Sequence, residues 1–222
     1  MKEDSTWVAV DEYFEEQLIG DDPALESALA ASTAAGLPSI QVSACQGKLL
    51  YLLALACGAK RILEIGTLGG YSTIWLARAL PSNGQLVTLE LEPHHAAVAR
   101  QNFKRAGLAE RIEVHVGPAL ETLARLREPR VSPFDLVFID ADKPNIPRYV
   151  QAAVELSKTG TLIVVDNVVR GGAIVAPEPD ASATGVRQLA SWLAGQTKLS
   201  ATAVQTVGTK GYDGFLLARV QP

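Results

Sequence analysis

Hydrophobic and polar positions change rhythm once along this chain. Up to about Gly58 the pattern reads as helical and is punctuated by cap signals. Asp22-Pro23 supplies an N-cap followed by proline at the first helical position, and Gly36-Leu37-Pro38 ends that helix. Ser43-Ala44-Cys45-Gln46 predicts a capping box ahead of the apolar stretch 49–57, with Gly58 as the stop. From Lys60 the pattern becomes an alternation of short apolar runs and longer mixed segments. The runs predict strands over 61–65, 86–91, 112–116, 135–139 and 161–165. The segments between them predict helices over 71–80, 93–106, 119–126 and 148–157. Uninterrupted apolar strands separated by helices imply a mostly parallel sheet with helices on both faces. A helix over 182–196 precedes two more strand-like runs, 201–206 and 215–220, joined by a glycine-rich connection and read as a hairpin at one side of the sheet. No repeat, low-complexity tract or linker interrupts the chain. Residues 1–222 therefore read as one domain, with a helical part at 1–58 and an α/β core at 59–222.

Bulk properties narrow the class. With 222 residues, 48% of them hydrophobic and 20% charged, the chain can bury a sizeable core and is too aliphatic for disorder. A net charge of −4, without a Lys/Arg cluster, disfavours a nucleic-acid partner. Cys45 and Cys57 fall on one predicted helix, too far apart to bridge, and read as reduced core residues. The acidic start Met1-Lys2-Glu3-Asp4-Ser5 lacks the apolar segment of a secretory signal, and no apolar run is long enough to span a bilayer. The expected location is the cytoplasm.

In open α/β sheets ligands bind at the carboxyl ends of the strands. After the first strand stands Gly66-Thr67-Leu68-Gly69-Gly70-Tyr71-Ser72, where glycines let the backbone approach a ligand and the next helix N-terminus can receive a carboxylate. The spacing is not the dinucleotide pattern G-x-G-x-x-G, and by itself such a stretch is equally a plain tight turn. Glu90 ends the second strand, where an acid accepts hydrogen bonds from ribose hydroxyls; Glu92, at the helix start, suits the helix dipole. Two further predicted strands end in Asp140-Ala141-Asp142-Lys143 and Asp166-Asn167. Asp140, Asp166 and Asn167 offer oxygen only, the donor set of a hard octahedral cation, with Mg²⁺ the natural choice. His94, His95 and His115 show no zinc spacing and read as structural or surface residues.

Together, Leu63-Glu64-Ile65-Gly66-Thr67 with Gly70-Tyr71-Ser72, Asp140-Ala141-Asp142-Lys143 and Asp166-Asn167 resemble the metal-dependent O-methyltransferases of the caffeoyl-CoA and catechol type, bacterial branch. The resemblance runs from Asp21 to Val220 and includes Lys210-Gly211-Tyr212-Asp213-Gly214-Phe215. It implies a Rossmann-like class I methyltransferase fold, with a seven-stranded sheet whose last strand is antiparallel. It also implies S-adenosylmethionine as methyl donor, Mg²⁺ or a similar divalent cation, a vicinal-dihydroxy aromatic acceptor and a homodimer. Carried over position by position, the metal ligands are Asp140, Asp166 and Asn167, and Lys143 helps to deprotonate the acceptor. The cofactor contacts fall on Val42, Glu64, Gly66, Thr67, Ser72, Glu90, Ala119, Asp140 and Asp142.

Three departures bear on the acceptor. Ile146 replaces a usual aromatic and is expected to loosen the acceptor pocket, Ile40 stands where methionine is common, and the acid that contacts catechol in the animal enzyme has no counterpart. The rival to a catalytic Lys143 is a salt bridge to Asp142. Rival functions are a nicotinamide oxidoreductase, a cofactor-binding regulatory dimer and a methyltransferase for hydroxylated uridine in tRNA.

Overall fold

The computed structural model describes residues 2–127 and 132–222; Met1, the first residue of the acidic start, lies outside them. Three helices come first, α1 (Lys2–Leu18), α2 (Pro23–Ala34) and α3 (Ala44–Ala56). The cap signals act as the residue types require: the Asp22 carboxylate accepts from Leu25 N and the Ser43 hydroxyl from Gln46 N. The core then runs β1 (Arg61–Ile65), α4 (Tyr71–Arg78), β2 (Gln85–Glu90), α5 (Pro93–Arg105), β3 (Ile112–Val116), α6 (Ala119–Leu126) and β4 (Phe134–Ile139). It continues with α7 (Ile146–Glu155), β5 (Ser157–Asp166), α8 (Ala181–Ala194), β6 (Leu199–Thr206) and β7 (Asp213–Val220). Helix α7 starts before the predicted residue 148 because Pro147 occupies its first turn, where a missing N–H costs nothing. Strand β5 starts before residue 161 because Gly160, at φ +93°, lets the backbone shift register near Phe134.

The seven strands form one sheet in the order β3-β2-β1-β4-β5-β7-β6, with every neighbouring pair up to β4–β5 parallel. Strand β7 is antiparallel to both β5 and β6, so the terminal hairpin places its second strand inside the sheet and its first at the edge. Apolarity sets that choice. Phe215, Leu216 and Ala218 of β7 are buried, whereas Ser200 to Thr206 of β6 are exposed.

Alternate side chains of the central strands feed two cores. Ile62, Leu86, Leu136 and Val164 pack with Leu50, Trp75 and Phe103 of α3, α4 and α5. Leu63, Val87, Val137 and Ile163 pack with Leu123, Val150 and Leu189 of α6, α7 and α8. The two cysteines are free as expected, yet neither is a core residue. Cys57 caps the C-terminus of α3 and is exposed, and Cys45 is half-buried near the sheet's carboxyl edge. No helix among the described residues is long and apolar enough to cross a membrane.

Candidate active site

The carboxyl ends of β1, β2, β4 and β5 open onto one cavity of about 1130 Å³. A small-molecule pocket usually measures ~300–1,000 Å³, so there is room for a cofactor and an acceptor side by side. On one side of this cavity lies the turn after β1. Gly66 has φ +99°, and a Cβ there would overlap the Asp140 carbonyl group, standing 2.7 Å from its carbon. Gly70, at φ +84°, is the N-cap of α4, and a Cβ there would overlap the Phe103 ring. Sterics therefore demand glycine at both positions, beyond what a plain tight turn needs.

Glu90 closes this turn from the neighbouring strand. Its Oε2 accepts from Thr67 N at 3.0 Å and Leu68 N at 2.7 Å, and its Oε1 accepts from Glu92 N at 3.0 Å. Glu92 occupies the N-cap position of α5 without a side-chain cap bond. His95, read from sequence as surface or structural, lines the cavity with Nδ1 3.5 Å from Glu90 Oε1. His94 and His115 are not among the lining residues.

Of the residues carried over as cofactor contacts, Val42, Gly66, Thr67, Ser72, Glu90, Ala119, Asp140 and Asp142 line the cavity. Glu64 does not. It lies fully buried behind the turn, where its carboxylate accepts from the hydroxyls of Ser72 (2.7 Å), Thr73 (2.5 Å) and Thr88 (2.7 Å). Its reach to a ligand runs through Ser72. Burial pushes the Glu64 carboxyl up to about 7, against the three hydroxyls that favour its charge.

This shift has a sign for stability. Below the ordinary value of 4.5 the group is protonated in both folded and unfolded chains. As pH rises from there to about 7, the unfolded chain ionises while the fold retains the proton, so stability is lost across that window. The loss is on the order of 3 kcal/mol at most. Glu64→Gln should flatten this part of the melting-temperature profile, measured by thermal unfolding between pH 4.5 and 8. An unchanged slope would show that Glu64 does not carry it.

Beside the turn after β1, β4 and β5 bring Asp140, Lys143, Asp166 and Asn167 together. Lys143 Nζ donates to Asp140 Oδ1 at 2.9 Å. The lysine is thus paired with Asp140 and not with Asp142, whose carboxylate instead accepts from Asn145 Nδ2 at 2.6 Å and from the Tyr149 hydroxyl. Asp142 and the desolvation of its own ring both push the Tyr149 phenol upward, desolvation most. Asp166 is buried and takes the backbone N–H of Asn167 at 2.8 Å and the side chain of Gln46. Burial first, and the Asp140 charge second, push the Asp166 carboxyl up to about 7.

Gln46 was read as half of a capping box. Its backbone fills that role while its side chain serves the site, a division that spacing along α3 cannot reveal. Asn167 adopts φ +55°, a left-handed conformation that asparagine tolerates better than most residues.

The donor set fits a hard divalent cation. Two carboxylates face a single lysine, and all three candidate ligand side chains offer oxygen. Among the described residues no group of three or more His, Cys, Asp or Glu forms a metal cluster; here the third donor is an amide. Ile146 is fully buried in the core between sheet and helices and does not line the cavity. It therefore cannot loosen the acceptor pocket, whereas Ile40, exposed on the cavity wall, can shape it.

The sequence matches the O-methyltransferase family over residues 16–220. The chain belongs to that family. It is 58% identical over 212 residues to a catechol O-methyltransferase of Mycobacterium tuberculosis, covering 96% of this chain and 95% of the relative. Its fold superposes with a TM-score of 0.96 on the O-methyltransferase TomG from Streptomyces achromogenes, involved in tomaymycin synthesis and solved with SAM, at 52% identity over 100% of both chains. An O-methyltransferase from Bacillus cereus in complex with SAH gives the same TM-score at 50% identity, covering 98% of this chain and 99% of that one. The expected class I methyltransferase fold is borne out, and the chain is an S-adenosylmethionine-dependent O-methyltransferase. Membership of the O-methyltransferase family argues against the nicotinamide reading.

Proposed function

We propose that this O-methyltransferase transfers the methyl group of S-adenosylmethionine to one hydroxyl of a vicinal-dihydroxy aromatic small molecule, with a divalent cation such as Mg²⁺ held by Asp140, Asp166 and Asn167. The observation that carries this reading is the convergence of Lys143, Asp140, Asp166 and Asn167 beyond the ends of β4 and β5, in the same cavity that the glycine-rich turn lines. The name of the Mycobacterium tuberculosis relative supports the acceptor class. The chain's net charge of −4 supports a small acceptor over tRNA.

When bound at that oxygen set, a divalent cation supplies positive charge that favours the ionised form of an acceptor hydroxyl. The protein's own groups do the rest. The turn from Gly66 to Ser72 and Glu90 would hold the cofactor, which supplies the sulfonium methyl. Lys143, whose ammonium rests against Asp140, releases one proton to solvent and, as the neutral amine, takes up the proton of the acceptor hydroxyl, ending as the ammonium again. The hydroxyl oxygen then forms its bond to the methyl carbon as the carbon–sulfur bond breaks, leaving a neutral thioether. Charge is neutralised in this step, so the apolar walls at Val42, Ile65 and Leu89 assist it. Holding both reactants in line is worth roughly 7–11 kcal/mol in favourable intramolecular cases.

The test pairs caffeate with p-coumarate at saturating cofactor and Mg²⁺, with and without excess chelator. Caffeate should be methylated and p-coumarate left essentially untouched, because one hydroxyl surrenders a metal–oxygen bond and its orienting effect. Chelator should abolish turnover and Mg²⁺ should restore it. Comparable rates on the two acids would defeat the vicinal-diol reading, and full activity in chelator would make the oxygen cluster structural.

A further inference from the structure

The cavity also holds two cations for which the methyl transfer has no use. Arg170 follows β5, and Lys210 sits in the connection between β6 and β7; both line the cavity. Among the described residues neither side chain forms an ion pair, and Arg170 Nε is buried without a hydrogen-bond partner. A buried guanidinium donor with no protein acceptor is costly, and it leaves Nε available to an acceptor atom of a ligand. Partial desolvation at the cavity mouth pulls the ammonium of Lys210, an exposed residue, down.

The nearby cavity-lining acids, Asp213 at the start of β7 and Asp11 of α1, bond to neighbouring main chain and not to Arg170 or Lys210 side chains. Asp213 Oδ1 accepts from the backbone of Val169 at 3.0 Å and of Arg170 at 2.9 Å, and Asp11 Oδ2 accepts from Thr209 N at 2.8 Å. The Asp213 bonds have a further effect. Arg170 is left-handed at φ +58° and is followed by Gly171 at +61° and Gly172 at +88°. A non-glycine residue keeps such a backbone only where its surroundings impose it, and that imposition aims a side chain. Asp213 thus serves as the positioning residue for Arg170.

The order of strands separates this end of the cavity from the cofactor end. Strands β1 and β2 carry the glycine-rich turn and Glu90, while Arg170 and Lys210 lie on the β5–β7–β6 side, beyond Asp166 and Asn167. The cofactor's own carboxylate is therefore served from the turn and the start of α4, and the two cations face the acceptor. Resting on the reading that the acceptor sits at Asp140, Asp166 and Asn167, we propose that Arg170 and Lys210 receive a carboxylate borne by the acceptor, which makes the preferred substrates phenolic acids. Arginine's planar fork pairs with a carboxylate through two parallel hydrogen bonds, and the lysine adds a mobile second charge at the mouth.

Steady-state kinetics with an acid and its methyl ester tests this. For wild type, kcat/KM for caffeate should exceed that for methyl caffeate by about 10–100-fold, the span of one or two charged hydrogen bonds, with the difference in KM. Arg170→Gln and Lys210→Gln should each reduce that ratio several-fold, and the double variant should bring it near one. Arg170→Lys should retain part of it. Lys210 is exposed, so its substitution reads out even where an Arg170 variant folds poorly. A wild-type ratio near one, or a ratio that the double variant leaves unmoved, overturns the proposal. The same ratio is taken on p-coumarate and its methyl ester, so equal turnover of caffeate and p-coumarate defeats the diol reading and leaves the charge test intact. Where no acceptor turns over, calorimetric binding of each acid and ester in the presence of S-adenosylhomocysteine gives the same comparison.

Discussion

Lys143→Ala is expected to lower kcat for a catechol acceptor by about 100- to 10,000-fold while changing cofactor affinity only slightly. The range is that of a positioned proton-transfer group. The geometry explains why the loss falls on kcat. Lys143 is buried, its Nζ is held 2.9 Å from Asp140 Oδ1, and it makes no hydrogen bond to Glu90 or to the glycine-rich turn. Its removal deprives the acceptor hydroxyl of its proton partner and reaches the proposed cofactor contacts only through Asp140. It also leaves Asp140 and Asp166 facing one another with no fixed cation, so Lys143→Met and Lys143→Arg belong beside it. Arginine restores the charge but does not give up its proton at neutral pH, and should remain impaired. Single-turnover rates with S-adenosylhomocysteine titrations would separate the two effects. A Lys143→Ala enzyme with wild-type kcat removes the lysine from the mechanism.

Gly66→Ala should cost stability and cofactor binding together. The added methyl would overlap the Asp140 carbonyl, 2.7 Å from its carbon and 3.2 Å from Ala141 N, on a backbone with φ +99°. The obstacle is the main chain of the Asp140–Ala141 peptide, so no side chain can swing away to make room. Overpacking and left-handed strain each cost about 1–3 kcal/mol, for a total of about 2–6 kcal/mol. The ends of β1 and β4 would have to separate, which breaks the Asp140 N to Ile65 O bond of 2.8 Å and moves Asp140 relative to Lys143. Urea unfolding should show the lower midpoint, and calorimetry with S-adenosylhomocysteine the weaker binding. Wild-type values in both would mean that the turn is far more compliant than its geometry states.

The chain's local code was legible wherever one residue type answers one local demand. Asp22-Pro23 and Ser43 start helices because a side-chain oxygen near a helix N-terminus has only local donors to satisfy. The limits of β1 and β3 follow from apolar runs bounded by charge or glycine. Asp140, Asp166, Asn167 and Lys143 could be singled out because strand ends at a sheet's carboxyl edge share one location whatever the loops do.

What the sequence left open depended on contacts between distant segments. Nothing near Glu64 in the chain says that Thr88, on the next strand, will donate to it and that the turn will bury it. The family resemblance puts Ile146 at the acceptor pocket, yet it is the first residue of α7 and its side chain is buried in the core. Gln46 reaches Asp166 across 120 residues of chain, and Asp213 holds Arg170 across 43. The hairpin was visible as two strands, but which of them entered the sheet was settled by pairing Phe215 with Asp166 and Leu216 with Val165. Spacing along a chain reports the period of one element at a time. Side chains that complete a site from other elements meet only when packing has set the distances between those elements, and that packing is a property of the whole core.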